Sequence, residues 1–140
     1  MNYLLSLLTG ALVALMVYLN GTLSNYTGNY SASVLIHFVG LIGIIFILVV
    51  TKSKLKGLKG IPLYLYTGGV IGVLTVLCNN VGYTNLGASL TIALSLLGQS
   101  VTSIIVDHYG LFGVPVVRFN HKKTIGLLII AMGVFFMTLS

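Results

Sequence analysis

The sequence predicts an all-α polytopic membrane protein with five transmembrane helices, on three observations. Of its 140 residues 57% are hydrophobic and only 6% charged, and mean hydropathy is +1.10. A soluble domain usually carries about a quarter charged residues. The apolar residues also fall into stretches of about twenty, the length a helix needs to cross the hydrocarbon core. Finally, the seven lysines and arginines occupy just two of the intervening segments.

The five spans run roughly over 2–20, 31–51, 62–83, 86–107 and 122–140, as one transmembrane domain covering 1–140. The first, MNYLLSLLTGALVALMVYLN, lacks the basic start and the small-x-small cleavage site of a secretory signal, so it reads as a retained helix. It can continue as helix through NGTLSNYTG, because Gly and Asn are tolerated where neighbours satisfy the backbone. The third and fourth spans are joined by a few residues around Asn85, which predicts a tight antiparallel hairpin. Pro62 and Pro115, the only prolines, lie at span edges, where a missing donor does least harm.

Lys52, Lys54, Lys56 and Lys59 follow the second span; Arg118, Lys122 and Lys123 precede the fifth. With five spans both segments share one side with the N-terminus. The opposite side carries no lysine or arginine, which predicts a cytoplasmic N-terminus and an outside C-terminus. The cluster TKSKLKGLKG also has the composition of an anionic-lipid site, but orientation alone accounts for it. Seven cations are too few for a nucleic-acid surface. The single Cys78 excludes an internal disulfide and reads as a small apolar residue within a helix.

Helical periodicity assigns each span a face. On the third, Gly68, Gly72, Thr75, Asn79 and Gly82 share about 80° of arc; on the fourth, Ser95, Gln99 and Thr102 share about 60°. Ser6, Gly10, Asn20 and Ser24 align on the first, and Ser33, His37 and Gly40 on the second. The glycines Gly68, Gly72, Gly126 and Gly133 read as helix-packing positions. An amide buried in hydrocarbon needs a partner. Gln99 and Asn79, with Ser95, Asn20, Tyr18, Tyr83 and His37, are therefore candidate cavity-lining residues, or else members of a hydrogen-bonded seam. His37 is the titratable group with a near-neutral ordinary pKa placed inside a span, as a hydrogen-bonding residue or a proton relay.

No catalytic constellation is present: one carboxylate supplies no acid–base pair, and no His and Cys spacing suits a metal. No cofactor is expected. The single acid, Asp107, ends the fourth span, where the helix dipole disfavours it by some tenths of a kcal/mol. Pairing with Arg118, Lys122 or Lys123 would offset that and organise the HYGLFG turn; the functional alternative is an inner gate formed with Arg118. Gln99 lies about 12 Å away along the helix and about 80° around it, which places it in the cavity rather than against Asp107.

Four stretches resemble the small YdcZ-type branch of the drug/metabolite transporter superfamily: YLNGTLSNYTG, HFVG, the pair LGQS and DHYGLFG, and KKTIGLLIIAMGVFFM. The resemblance covers essentially the whole chain, and GQ…DHYGLFG is its most specific part. It implies a five-helix half-transporter working as a dimer, with a small organic solute passing between two units. An odd number of spans puts the termini on opposite sides, so two copies in series would be inverted, the usual basis of alternating access. Dimer contacts through Gly126 and Gly133 are expected. The first helix lacks the carboxylate that small multidrug exporters use for proton exchange, so that mechanism is not supported. The one-sided charge favours one orientation, hence an oppositely oriented partner chain, ahead of a parallel and then a dual-topology homodimer.

The functional expectation is a secondary transporter for a neutral or zwitterionic solute. The competing reading is a non-transporting membrane subunit that stabilises or regulates a partner transporter. A third is a proton-coupled exporter using His37.

Overall fold

The computed structural model describes residues 2–53, 60–117 and 121–139. Their long elements are all helical: α1 (Asn2–Thr27), α2 (Asn29–Val50), α3 (Thr67–Tyr109) and α4 (His121–Leu139). Two short 3-10 turns lie at Leu63–Tyr66 and Leu111–Gly113. Three stretches are long and apolar enough to cross a membrane: Tyr3–Thr27, Asn29–Val50 and Leu63–Tyr109; Thr124–Leu139 is a shorter apolar helix.

Glycine decides where the helices break. α1 runs past residue 20 through NGTLSNYT and stops only at Gly28, whose φ of 82° and ψ of 154° belong to a region open almost solely to glycine. The connection expected over 21–30 is thus a single residue. α3 is likewise continuous except at Gly87 (φ 76°, ψ 174°). The break falls two residues beyond Asn85, which stays helical and donates its amide to the Val81 carbonyl at 2.7 Å. Pro62 caps the turn that leads into α3, and Pro115 lies in the extended stretch between α3 and α4.

Very little of the chain is buried. Among the described residues the apolar core is Val17, Ala32 and Val134, while Leu, Ile, Val and Phe side chains stand exposed along every long helix. Water would not tolerate such a surface, but lipid tails are as apolar as leucine and impose no cost on it. In lipid the hydroxyls become the problem, and the helices solve it locally. Thr9, Thr22, Thr51, Thr75 and Ser100 each donate to the carbonyl four residues earlier, at 2.7–2.9 Å.

The chain forms two compact units, Met1–Asn85 and Leu86–Ser140. In the first, α1 and α2 pack together, and the start of α3 locks onto α1 through Tyr83. The Tyr83 ring meets Tyr18 edge-on at 6.1 Å, its hydroxyl lies 3.1 Å from the Thr22 hydroxyl, and its ring occupies the space a side chain at Gly21 would need. In the second unit, the chain turns at Gly110 (φ 60°) and Phe112 (φ 59°), and the Val117 amide returns to the Asp107 carbonyl at 2.9 Å.

Gly21→Ala is therefore expected to destabilise the fold by about 1–3 kcal/mol, because a Cβ there collides with the Tyr83 ring close to its own backbone. Gly10→Ala, which adds a methyl in open space, should be neutral or stabilising by up to about 1 kcal/mol. Thermal denaturation of both variants in detergent checks the contrast.

Candidate functional site

The second unit holds an open groove of about 460 Å³ lined by Leu96, Gln99, Ser100, Ser103, Ile104 and Asp107 of α3 and Gly126, Leu127 and Ile130 of α4. Helical geometry explains the polar row: Gln99, Ser103 and Asp107 recur every four residues and so advance only about 40° per step. Ser100 completes the row, with its hydroxyl closed onto the Leu96 carbonyl at 2.7 Å. On α4 the absent side chain of Gly126 widens the groove; a Cβ there would meet nothing within 4 Å. The arrangement offers an amide, two hydroxyls and a carboxylate along one wall and aliphatic carbon along the other.

Sequence periodicity placed Gln99 with Ser95 and Thr102; the groove takes Gln99 but continues through Ser103 to Asp107. Ser95 is half-buried and Thr102 exposed, and neither lines the groove. Gln99 and Asp107, expected to serve separate places, line the same one. Ser100 and Ser103 join them, Ser103 through the four-residue spacing of 99, 103 and 107. Arg118, the expected partner in an inner gate, lies outside the described residues, as do the side chains of Lys122 and Lys123.

The first unit holds the other candidates. Tyr18 and Tyr83 do meet, as the edge-on pair against α1. Asn20 and Asn79 are half-buried. The fully enclosed amide is Asn80, 1% exposed, and neither its Oδ1 nor its Nδ2 has a hydrogen-bond partner. Periodicity pointed to Asn79 because it aligned with Gly68, Gly72 and Thr75. Those three are exposed in the chain, so the inward face of α3 lies one residue further round, on Asn80 and Tyr83. His37 turns back on its own helix, with Nδ1 donating to the Ser33 carbonyl at 2.7 Å. Cys78 is exposed on α3.

Of the expected packing glycines, Gly68, Gly72, Gly126 and Gly133 all have open space where a Cβ would stand. Among the glycines described, Gly21 approaches a neighbouring helix closely, against the Tyr83 ring. No group of His, Cys, Asp and Glu among the described residues could hold a metal.

Long apolar helices, an almost absent core and a polar groove within an apolar chain mark an integral membrane protein. A family model described as "Putative inner membrane exporter, YdcZ" matches residues 1–136. The chain belongs to this YdcZ-type family of drug/metabolite transporters, and its class is therefore a membrane transporter. No curated protein and no solved structure matches it significantly.

Asn80 supplies a direct test of the packing. A buried amide without partners costs about 1–3 kcal/mol, and an apolar replacement of similar shape removes that cost. Asn80→Leu is expected to raise the thermal midpoint in detergent; a fall would mean that the amide is partnered in the assembled protein.

Proposed function

We propose that the protein is a half-size secondary transporter that works as a dimer and moves a small organic solute by alternating access. The observation that carries this reading is the groove of Gln99, Ser100, Ser103 and Asp107. It is a continuous polar wall on a helix whose other neighbours are aliphatic, in a family of exporters. Polar residues within a membrane segment are costly and mark solute or ion paths when they line an open space.

The break at Gly87 supports counting α3 as two spans, 67–86 and 88–109, each about 30–33 Å long and sufficient for the hydrocarbon core. With α1, α2 and α4 that makes five, a cytoplasmic N-terminus and an outside C-terminus, given lysines between the second and third. A groove open along one side is half of a path, and a second chain would close it. Gly126, on the groove wall, and Gly133, two turns on, present open backbone for that approach. The solute would hydrogen-bond Gln99 and the serines, while Asp107 acts as the inner closure with a cation of the 118–123 segment. Direct charge pairing is limited to this one acid, so the solute is neutral or zwitterionic. A subunit that merely stabilises a partner would use the same row as a dry seam.

A cysteine at Gln99 in a Cys78→Ala background distinguishes the two. Transport predicts rapid labelling by a small hydrophilic maleimide and slowing by transported solute; a seam predicts slow labelling throughout. Asp107→Asn should reduce flux at least tenfold with unchanged thermal stability if the carboxylate gates the path, a loss corresponding to about 1.4 kcal/mol in the rate-limiting step. Normal flux in that variant would remove Asp107 from the mechanism. Orientation is read from a cysteine at Ser140 with an impermeant reagent. Complete labelling of intact cells fits one topology, whereas labelling of half the molecules fits dual insertion and an antiparallel homodimer.

A further inference from the structure

The first unit contains a second polar recess that the transport groove does not include. It measures about 310 Å³ and is lined by Ser24 and Asn25 at the end of α1, Asn29 at the start of α2, and Val81, Thr84 and Asn85 of α3. Five of these six residues are polar and none is charged. Its volume falls at the low end of small-molecule sites, about 300–1,000 Å³.

The hydrogen bonds around it are incomplete. The Thr84 hydroxyl lies 2.8 Å from the Asn80 carbonyl and 3.2 Å from Asn25 Oδ1. One hydroxyl has one proton, so it can donate to only one of these acceptors at a time. Asn29 donates Nδ2 to the Leu77 carbonyl at a long 3.4 Å, and its Oδ1 is buried with no partner. Ser24 is 7% exposed. The recess thus adjoins a buried acceptor, Asn29 Oδ1, that lacks a partner.

We propose that this recess is a binding site for a small neutral solute that carries adjacent hydrogen-bond donors and acceptors, a polyol or a primary amide. A hydroxyl or amide group can donate to and accept from the Asn25, Thr84 and Asn85 side chains of the lining, and can give a proton to Asn29 Oδ1 when the Asn29 amide turns into the recess. A carboxylate or ammonium would enter without a counter-charge in the lining and lose its hydration. α2 is 22 residues long and carries the recess at one end and Thr51 and Lys52 at the other, about 33 Å apart. By the positive-inside rule the recess faces away from the cytoplasm. The inference rests on the transport reading for what becomes of the solute: it names the solute class and places a station at the outer end of the unit.

The test uses the full chain with Cys78→Ala and a single cysteine at Val81, the exposed apolar residue of the lining, so that no polar group is lost. Leu139→Cys, 69% exposed and beside the outside C-terminus, serves as the control for viscosity and reagent access. The rate of reaction with an impermeant maleimide, added outside intact cells, is measured with erythritol, propionamide, acetate or ethylammonium. Erythritol and propionamide are expected to slow Val81→Cys about threefold at twice their dissociation constant, and to leave Leu139→Cys unaffected. Acetate and ethylammonium should have no effect. Adding Asn29→Leu should abolish the protection; where that variant does not elute as a folded species, Ser24→Ala replaces it and should weaken the protection.

No protection by either neutral solute, or equal protection by the ions, would overturn the proposal and leave a recess filled by water. So would a cysteine at position 81 that reacts only after lysis. Flux of the same solutes in proteoliposomes separates the two readings. Protection without flux supports the site and defeats transport; flux without protection defeats the site and leaves transport standing.

Discussion

In a hydrocarbon solvent every backbone N–H and C=O must be satisfied within the chain, and this constraint shapes almost everything seen here. It explains why the long elements are all helical and why they are interrupted so sparingly. α1 gives way to α2 at one residue, Gly28, and α3 is broken at one residue, Gly87. Both adopt backbone angles closed to other amino acids. It also explains the treatment of hydroxyls. Thr22 and Thr75 return their protons to carbonyls one turn back, so a threonine on a helix face carries no automatic implication of a wet cavity.

With no hydrophobic force between helices in lipid, association depends on close fit and on a few polar contacts. The first unit shows how this is done with one aromatic residue. Tyr83 lies against the bare backbone of Gly21, meets the edge of Tyr18 and places its hydroxyl beside Thr22. The ring supplies dispersion contact and the hydroxyl finds a partner, as buried tyrosines require. Against this, Asn80 is enclosed without partners, and Asn29 keeps an unmatched oxygen. Such groups are kept at a cost to stability, which is the usual signature of a position selected for something other than packing.

The family assignment gives these polar positions a context. The groove in the second unit is lined by Gln99, Ser100 and Ser103, and Asp107 adds the one acidic group of the chain. Each unit thus carries a distinct polar surface in an otherwise lipid-compatible skin.

The sequence by itself determined the membrane environment, the helical class and the family, because these depend on composition, on runs of apolar residues and on a motif such as GQ…DHYGLFG. It also singled out Gln99, Asp107, Tyr18 and Tyr83 as residues of interest. It could not decide which face of α3 turns inward. Asn79 and Asn80 differ by only 100° of rotation, and periodicity favoured the residue aligned with exposed glycines. Only tertiary structure decided that Asn80 is the buried amide, that Gly21 rather than Gly68 or Gly72 makes the close approach, and that Ser103 joins Gln99 to Asp107. The physical reason is that a lipid-facing surface and a packed face can both be built from small and apolar residues, so the pattern alone does not mark which one meets a neighbour.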